Sequence, residues 1–280
     1  MGGGPDGSPW RGPIRGHVIG QALTGPDGSA EPGRLWTSIT AVASTGSTNA
    51  DLLGRGGPEG QVLVAEEQTA GRGRAGRTWV SQPGASLTFS VLLRPASVPP
   101  SARGWLPLLT GVAVAAGVRS AAAVEARLKW PNDVLVGDRK LAGILAEQSP
   151  DGDVVVIGIG LNVATAEKAL PVSPTGLPAT SLLVEGADVG REALLTEILR
   201  SLGHWYLRFR ADPDPVSSGL LTAYRAACAT LGRQVRVELP AGRELAGLAE
   251  DVDPAGRLLV RPAGSASATA VSAGDIVHLR

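Results

Sequence analysis

Residues 127–148 read Arg-Leu-Lys-Trp-Pro-Asn-Asp-Val-Leu-Val-Gly-Asp-Arg-Lys-Leu-Ala-Gly-Ile-Leu-Ala-Glu-Gln. Three apolar runs, at Leu128, at Val134–Val136 and at Leu141–Ala146, follow one another across tight turns. The first turn is Pro131-Asn132-Asp133, a composition that forces the chain to change direction. Strands this closely spaced leave no room for the crossover helices of a doubly wound sheet. They predict an α+β fold: a mixed β-sheet flanked by helices.

The flanking sequence extends this pattern. Val154–Gly160 (V-V-V-I-G-I-G) reads as a further strand ending at Leu161-Asn162, and Val62–Ala65 and residues 86–93 read as two more. Between them, Leu106, Leu109, Ala113 and Ala116 recur at helical spacing over Trp105–Val124. Residues 190–210 carry Leu195, Ile198, Leu199, Leu202, Trp205, Tyr206 and Phe209 on one side, the pattern of an amphipathic helix. A shorter helix is expected over Leu220–Thr230. Beyond Leu231-Gly232 short β-runs alternate with Gly, Pro and Asp, which predicts a small β-barrel over residues 231–280 beside a main domain spanning 34–230. The first 33 residues hold ten Gly and five Pro, and the expectation there is a disordered extension.

Bulk composition narrows the function. Lys+Arg and Asp+Glu both number 26, so no global field draws the chain to nucleic acid or to a membrane, and any anion binding is local. Cys228 is the single cysteine and the three histidines are far apart in sequence, so no His/Cys metal cluster can be read. The apolar runs are interrupted by Gly or Pro, and the N-terminus lacks a signal-peptide core. The reading is a soluble cytoplasmic protein, with no membrane and no DNA among its partners. No segment demands a second copy, so a monomer or weak homodimer is expected.

Five stretches could carry chemistry. Gly71-Arg72-Gly73-Arg74-Ala75-Gly76-Arg77 sits between two predicted strands. Its glycines let backbone N–H groups converge on an anion while its arginines add bidentate donors. Taken alone it equally fits an exposed Arg/Gly linker that touches RNA. Lys129, beside Trp130 and the Pro-Asn-Asp turn, is a fixed ammonium able to neutralise charge developing on a phosphate, or simply a surface lysine. Gly158-Ile159-Gly160-Leu161-Asn162 places two glycines in a strand, which implies close approach of backbone or ligand, or a bulge. Ser47-Thr48-Asn49 suits a helix cap, with Thr48 and Asp51 resembling a capping box, and also suits a small polar ligand. Lys140 opens the last strand of residues 127–148 and is either an edge charge or a ligand contact.

In order, S-T-N, E-Q-T-A-G-R-G-R-A-G-R, K-W-P-N-D, R-K-L-A-G-I-L-A-E and G-I-G-L-N-V resemble the biotin protein ligases from about Thr45 to Asn162. The resemblance implies a class II synthetase-like biotin/lipoate ligase catalytic domain followed by an SH3-like barrel. It implies that biotin is activated by ATP as biotinyl-5′-adenylate, with magnesium, and is then transferred to a lysine of the biotin carboxyl carrier protein of an acyl-CoA carboxylase. It assigns Ser47, Thr48, Asn49 and Gln68 to the biotin head group, and Arg72, Gly73 and Arg74 to biotin and the acyl phosphate. Lys129 takes the place of the family's essential lysine, with Arg74 beside it in catalysis. Gly71, Arg77, Trp79, Asn132, Lys140 and Asn162 fall toward ATP and the adenylate; no metal ligand can be named. The region before Leu35 is too short and too rich in Gly and Pro for the helix-turn-helix domain that some of these ligases carry, so no operator binding is expected. A lipoate-type ligase, with the same fold and the same adenylation chemistry, is the rival reading.

Overall fold

A computed structural model describes residues 12–24, 35–172, 177–239 and 243–279. A seven-stranded sheet forms the main body, in the order β1-β2-β3-β7-β6-β5-β4. Its strands are β1 (Ser38–Thr45), β2 (Gln61–Gln68), β3 (Ser86–Leu93), β4 (Arg127–Lys129), β5 (Asp133–Val136), β6 (Arg139–Gln148) and β7 (Val155–Asn162). Only β1 and β2 run parallel; every other neighbour is antiparallel. The run from β4 to β6 is the meander expected from residues 127–148, and the sheet is mixed, as its turns require.

The two faces of the sheet serve different purposes. On one face pack α3 (Trp105–Ala122), α4 (Arg191–Ala211) and α1 (Gly16–Thr24). Odd-numbered residues of β3 and β7, among them Phe89, Val91, Ile157 and Ile159, point into this core. By length and composition α3 could span a membrane, but two thirds of it is buried inside the protein, which accounts for its apolarity. Gly117 lies where α3 crosses α4: a Cβ there would come within 2.8 Å of the backbone of Ile198. The other face carries α2 (Thr48–Arg55) over a small cluster of Leu52, Leu63, Leu92 and Val156. The rest of that face is open.

The helix α5 (Leu220–Ala227) leads into a five-stranded antiparallel sheet, order β11-β10-β9-β8-β12. Its strands are β8 (Gln234–Glu238), β9 (Glu244–Val252), β10 (Leu258–Arg261), β11 (Thr269–Val271) and β12 (Asp275–His278). The indoles of Trp105 and Trp130 donate across to the carbonyls of Pro254 (2.8 Å) and Gly256 (3.1 Å), tying this unit to the main body.

Three expectations need correction. Residues 1–11 and 25–33 lie outside the described residues, but 12–24 are not a disordered extension. α1 buries Ile19 and Leu23 completely or nearly so, and the Ile14 amide donates to Glu66 on β2 (3.0 Å). Local Gly and Pro content hid four apolar residues (Ile14, Val18, Ile19, Leu23), three of them buried in the core. The strand β1 was not foreseen: it is an edge strand, largely exposed and polar, with little alternation to reveal it. Finally, of the two caps the S-T-N stretch offers, Ser47 and Thr48, it is Ser47 that caps α2, accepting from the Ala50 amide, and the capping box of Thr48 with Asp51 does not form. Asp51 instead takes the Thr45 hydroxyl at 2.7 Å.

Replacing Gly117 by alanine should lower the unfolding free energy by about 1–3 kcal/mol through overpacking. Denaturant titration checks this, and an unchanged midpoint would mean that α4 gives way freely.

Candidate active site

The open part of the sheet face is a trough made by missing side chains. On β7, Gly158, Gly160 and Asn162 share one face, two residues apart. In register beside them are Ser90, Thr88 and Ser86 of β3, and Gly143 and Leu145 of β6. A Cβ on Gly158 would meet the Asn49 carboxamide oxygen at 2.4 Å, and one on Gly160 would meet the Trp79 ring at 2.2 Å. Gly143 lies 3.2 Å, by the same measure, from the far edge of that indole. Glycine is therefore required here for approach, not for turning.

The trough is the floor of a cavity of about 270 Å³. Ser47, Thr48, Asn49, Gln68, Arg72, Gly73, Arg74, Arg77, Trp79, Lys129, Asn132, Lys140 and Asn162 all line it. Of the residues singled out from sequence, only Gly71 is absent from the lining. It works at the root of the loop: its carbonyl accepts from the Trp79 amide (2.9 Å), and a Cβ would stand 2.3 Å from the Trp79 carbonyl.

One end of the cavity is neutral and polar. The Thr48 amide and hydroxyl both donate to the Gln68 side-chain oxygen, at 2.8 and 3.0 Å. Asn49 is held on every side. Its nitrogen donates to the Leu145 carbonyl (3.2 Å) and to Glu147 (2.8 Å), and its oxygen lies 2.6 Å from the Ser90 hydroxyl. Asn49 thus fixes α2 to the sheet, and Thr48, buried and also receiving the Ser90 hydroxyl (2.7 Å), is fixed with it, so that Gln68 is the more accessible polar group at this end. In the middle, the Trp79 ring lies over Gly160, and its buried N–H has no protein partner; neither has the Thr88 hydroxyl.

The other end is cationic. Asp133 sits between two ammonium groups, 2.6 Å from Lys140 and 3.6 Å from Lys129. Lys129 is only 8% exposed, and burial pulls its pKa below the usual lysine value, partly offset by Asp133. Lys140 is more accessible and lies 5.9 Å from the centre of the Trp79 ring. Sequence ranked Lys129 first, but the geometry gives Lys140 the freer approach to the cavity. Arg74 donates to Asn132 (2.7 Å), and burial lowers its pKa also. Asn132 in turn donates to the Ile144 carbonyl (3.1 Å), so the turn after Lys129 positions the loop arginine.

Two loop arginines are engaged elsewhere. Arg72 pairs with Glu147 at 3.2 Å on an exposed flank, and Arg77 grips both oxygens of Asp275, at 2.5 and 2.6 Å. Asp275, Glu147, Thr88 and the role of Asp133 were not foreseen. Asp133 and Glu147 stand inside the quoted segments, but Asp275 is 198 residues from Arg77 and gave no local signal.

A glycine-floored cleft, neutral and polar at one end, cationic at the other and bordered by a loop of glycines and arginines, suits a ligand whose anionic part meets Lys129 and Lys140. Comparison with known proteins identifies the family. Residues 41–163 match the biotin/lipoate A/B protein ligase family, and residues 230–279 match the biotin protein ligase C-terminal domain. The chain is 46% identical to the biotin–[acetyl-CoA-carboxylase] ligase of Mycobacterium tuberculosis over 89% of its own length and 91% of that protein. It is 34% identical to the bifunctional ligase/repressor of Escherichia coli, covering 81% of this chain and 70% of the other. The solved biotin protein ligase of Aquifex aeolicus in complex with biotin and ATP superposes with a TM-score of 0.74 at 27% identity, over 88% of this chain and all of that one. The chain belongs to the biotin protein ligase family.

His278 of β12 borders the cationic end. It lies 3.0 Å from the Thr230 hydroxyl, which receives the Trp130 amide (3.1 Å) next to Lys129. Burial, then Lys129 and Arg233, push its pKa down to about 4. Below the unfolded value of about 6.5 the unfolded chain takes up a proton that the folded chain refuses, so stability falls as pH drops from 6.5 toward 4. His278→Gln should flatten this part of the stability profile relative to the parent. Denaturation midpoints measured from pH 4 to pH 7 check it, and parallel profiles would show that His278 does not carry the effect.

Proposed function

We propose that this ligase condenses biotin with ATP to biotinyl-5′-adenylate, releasing pyrophosphate, and then passes the biotinyl group to a lysine of the biotin carboxyl carrier protein of acetyl-CoA carboxylase. The order of groups along the trough supports this reading: hydrogen-bonding side chains, then a tryptophan over bare glycines, then two ammonium groups and an arginine. Biotin presents the same order, a ureido ring, an apolar chain and a carboxylate. Thr48 and Gln68 suit the ureido N–H and carbonyl groups, and Trp79 covers the chain. A lipoyl dithiolane ring offers no N–H or carbonyl to the polar end, which is why biotin is favoured over lipoate.

At the cationic end the carboxylate attacks the α-phosphate, and negative charge grows on the phosphoryl oxygens. Lys140 meets this charge from the cavity side and Lys129 from beneath, while Asp133 between them offsets their mutual repulsion. Fixed cations in a partly dry cleft stabilise such charge without reorganising at the moment of reaction. Arg74, held by Asn132, adds a planar donor at the mouth. Asn162, fixed through its amide to the Thr180 carbonyl (2.9 Å), lies toward the adenosine side. The loop excludes water from the mixed anhydride until the carrier lysine attacks its carbonyl and AMP departs.

Magnesium enters as the companion of ATP. Among the described residues no group of three or more His, Cys, Asp or Glu side chains stands together, and Asp133 has both oxygens turned to lysines. These residues do not make a resident metal cage, and no step is assigned to one.

Incubation with ATP, labelled biotin and a carrier domain should leave covalent label on the carrier. Lys140→Ala and Lys129→Ala should each slow adenylate formation by about 100-fold or more while biotin still binds. Pyrophosphate release at the parent rate in either variant would remove that lysine from the mechanism, and calorimetric binding of lipoate without binding of biotin would overturn the substrate.

A further inference from the structure

The C-terminal sheet reaches the cavity through one strand. Asp275, Ile276 and Val277 of β12 line it, and Asp275 holds Arg77 by two bonds of 2.5 and 2.6 Å. An exposed ion pair contributes little, but this one is about two thirds buried on both sides, with one terminal nitrogen of Arg77 reaching both oxygens of Asp275. What it joins matters more. Arg77 organises the loop: its carbonyl accepts from the Gly73 amide (2.6 Å), and its own amide and Nε both donate to the Arg74 carbonyl (3.2 Å each). Between them Ala75 and Gly76 take positive φ values of 54° and 73°. A tight turn of this kind is costly to hold unless something outside it fixes one end.

Asp275 is that fixed point. It begins β12, which pairs with β8 along its whole length. At the far end of β12, His278 is joined through Thr230 to the backbone beside Lys129. The strand is thus anchored to the same segment that carries the catalytic ammonium, while the loop is attached to the body mainly through Arg74, Arg77 and Arg72. The field of Asp275 also reaches Arg74 and Lys129, where it favours their charged forms.

We propose that Asp275 is a positioning residue that latches the Gly71–Arg77 loop shut through Arg77, so that the C-terminal unit controls how long the acyl-adenylate stays in the cleft. The proposal rests on the reading of the loop as the cover of that adenylate. With the latch broken the loop still closes on its ligand, but it reopens faster. Binding of biotin, whose ureido ring is held at the opposite end of the trough, changes little.

Asp275→Asn keeps the shape of the side chain and removes its charge. Preformed labelled adenylate should leave the variant about tenfold faster or more, a loss on the scale of one charge-assisted pair. Biotin affinity and the denaturation midpoint should stay close to those of the parent. Trypsin should cut at Arg72, Arg74 or Arg77 sooner in the variant than in the parent, both saturated with biotin and ATP. Asp275→Glu, which keeps the charge and leaves the turn at Arg77 intact, should hold the adenylate longer than Asp275→Asn does. An unchanged dissociation rate in Asp275→Asn, or a rate in Asp275→Glu as fast as that in Asp275→Asn, would overturn the latch. Parent protein that forms no adenylate at all would instead overturn the assigned reaction, so the two failures are distinguishable.

Discussion

Two lysines and one aspartate crowded into the floor of a cleft set the terms for the rest of this molecule. Lys129 and Lys140 repel one another, and Lys129 is held where water scarcely reaches it. Asp133 makes the arrangement tolerable, and the antiparallel meander puts it there: β4, β5 and β6 are neighbours, with Lys129 opposite Asp133 in register. Two ammonium groups against one carboxylate leave a net positive charge, which suits an anion. The cluster is not a device of stability, since buried ion pairs seldom stabilise a fold by themselves.

The remaining architecture makes room for the ligand. Period-two placement of Gly158 and Gly160 on one face clears a floor, and the same spacing delivers Asn162 at its end. The opposite face of these strands is fully apolar and carries α3 and α4, so the trough is backed by the close-packed core. Floor and cover are thereby built from different kinds of element. The floor is sheet, while the cover is a loop whose two exposed or half-exposed arginines grip acidic residues, Glu147 and Asp275, at either flank.

Much of this was legible in the chain. Apolar runs and turns over residues 127–148 gave the meander, and the amphipathic spacing of residues 190–210 gave α4 to within a residue at each end. The site segments were legible because each couples an unusual composition to a strand end, and the cavity gathers all but one of the residues they nominated. What stayed hidden has physical causes. β1 is an exposed edge with no apolar period, and α1 owes its order to Glu66 and to buried contacts with α4 that no local window contains. The role of Asp275 depends on a partner nearly two hundred residues away.

Asp275 and Asp133 together explain why the loop carries arginines and the floor carries lysines. A lysine is a compact point charge, suited to a pocket where one oxygen must be met from one direction. The loop must instead hold a shape and make a contact at once. Arg77 does both, because Nε serves the turn at Arg74 while a terminal nitrogen reaches across to β12. A lysine at 77 has no second nitrogen and would have to choose between the turn and the latch. The division of cations between floor and cover follows from the geometry each must satisfy, and it makes the far C-terminal strand a working part of the cleft.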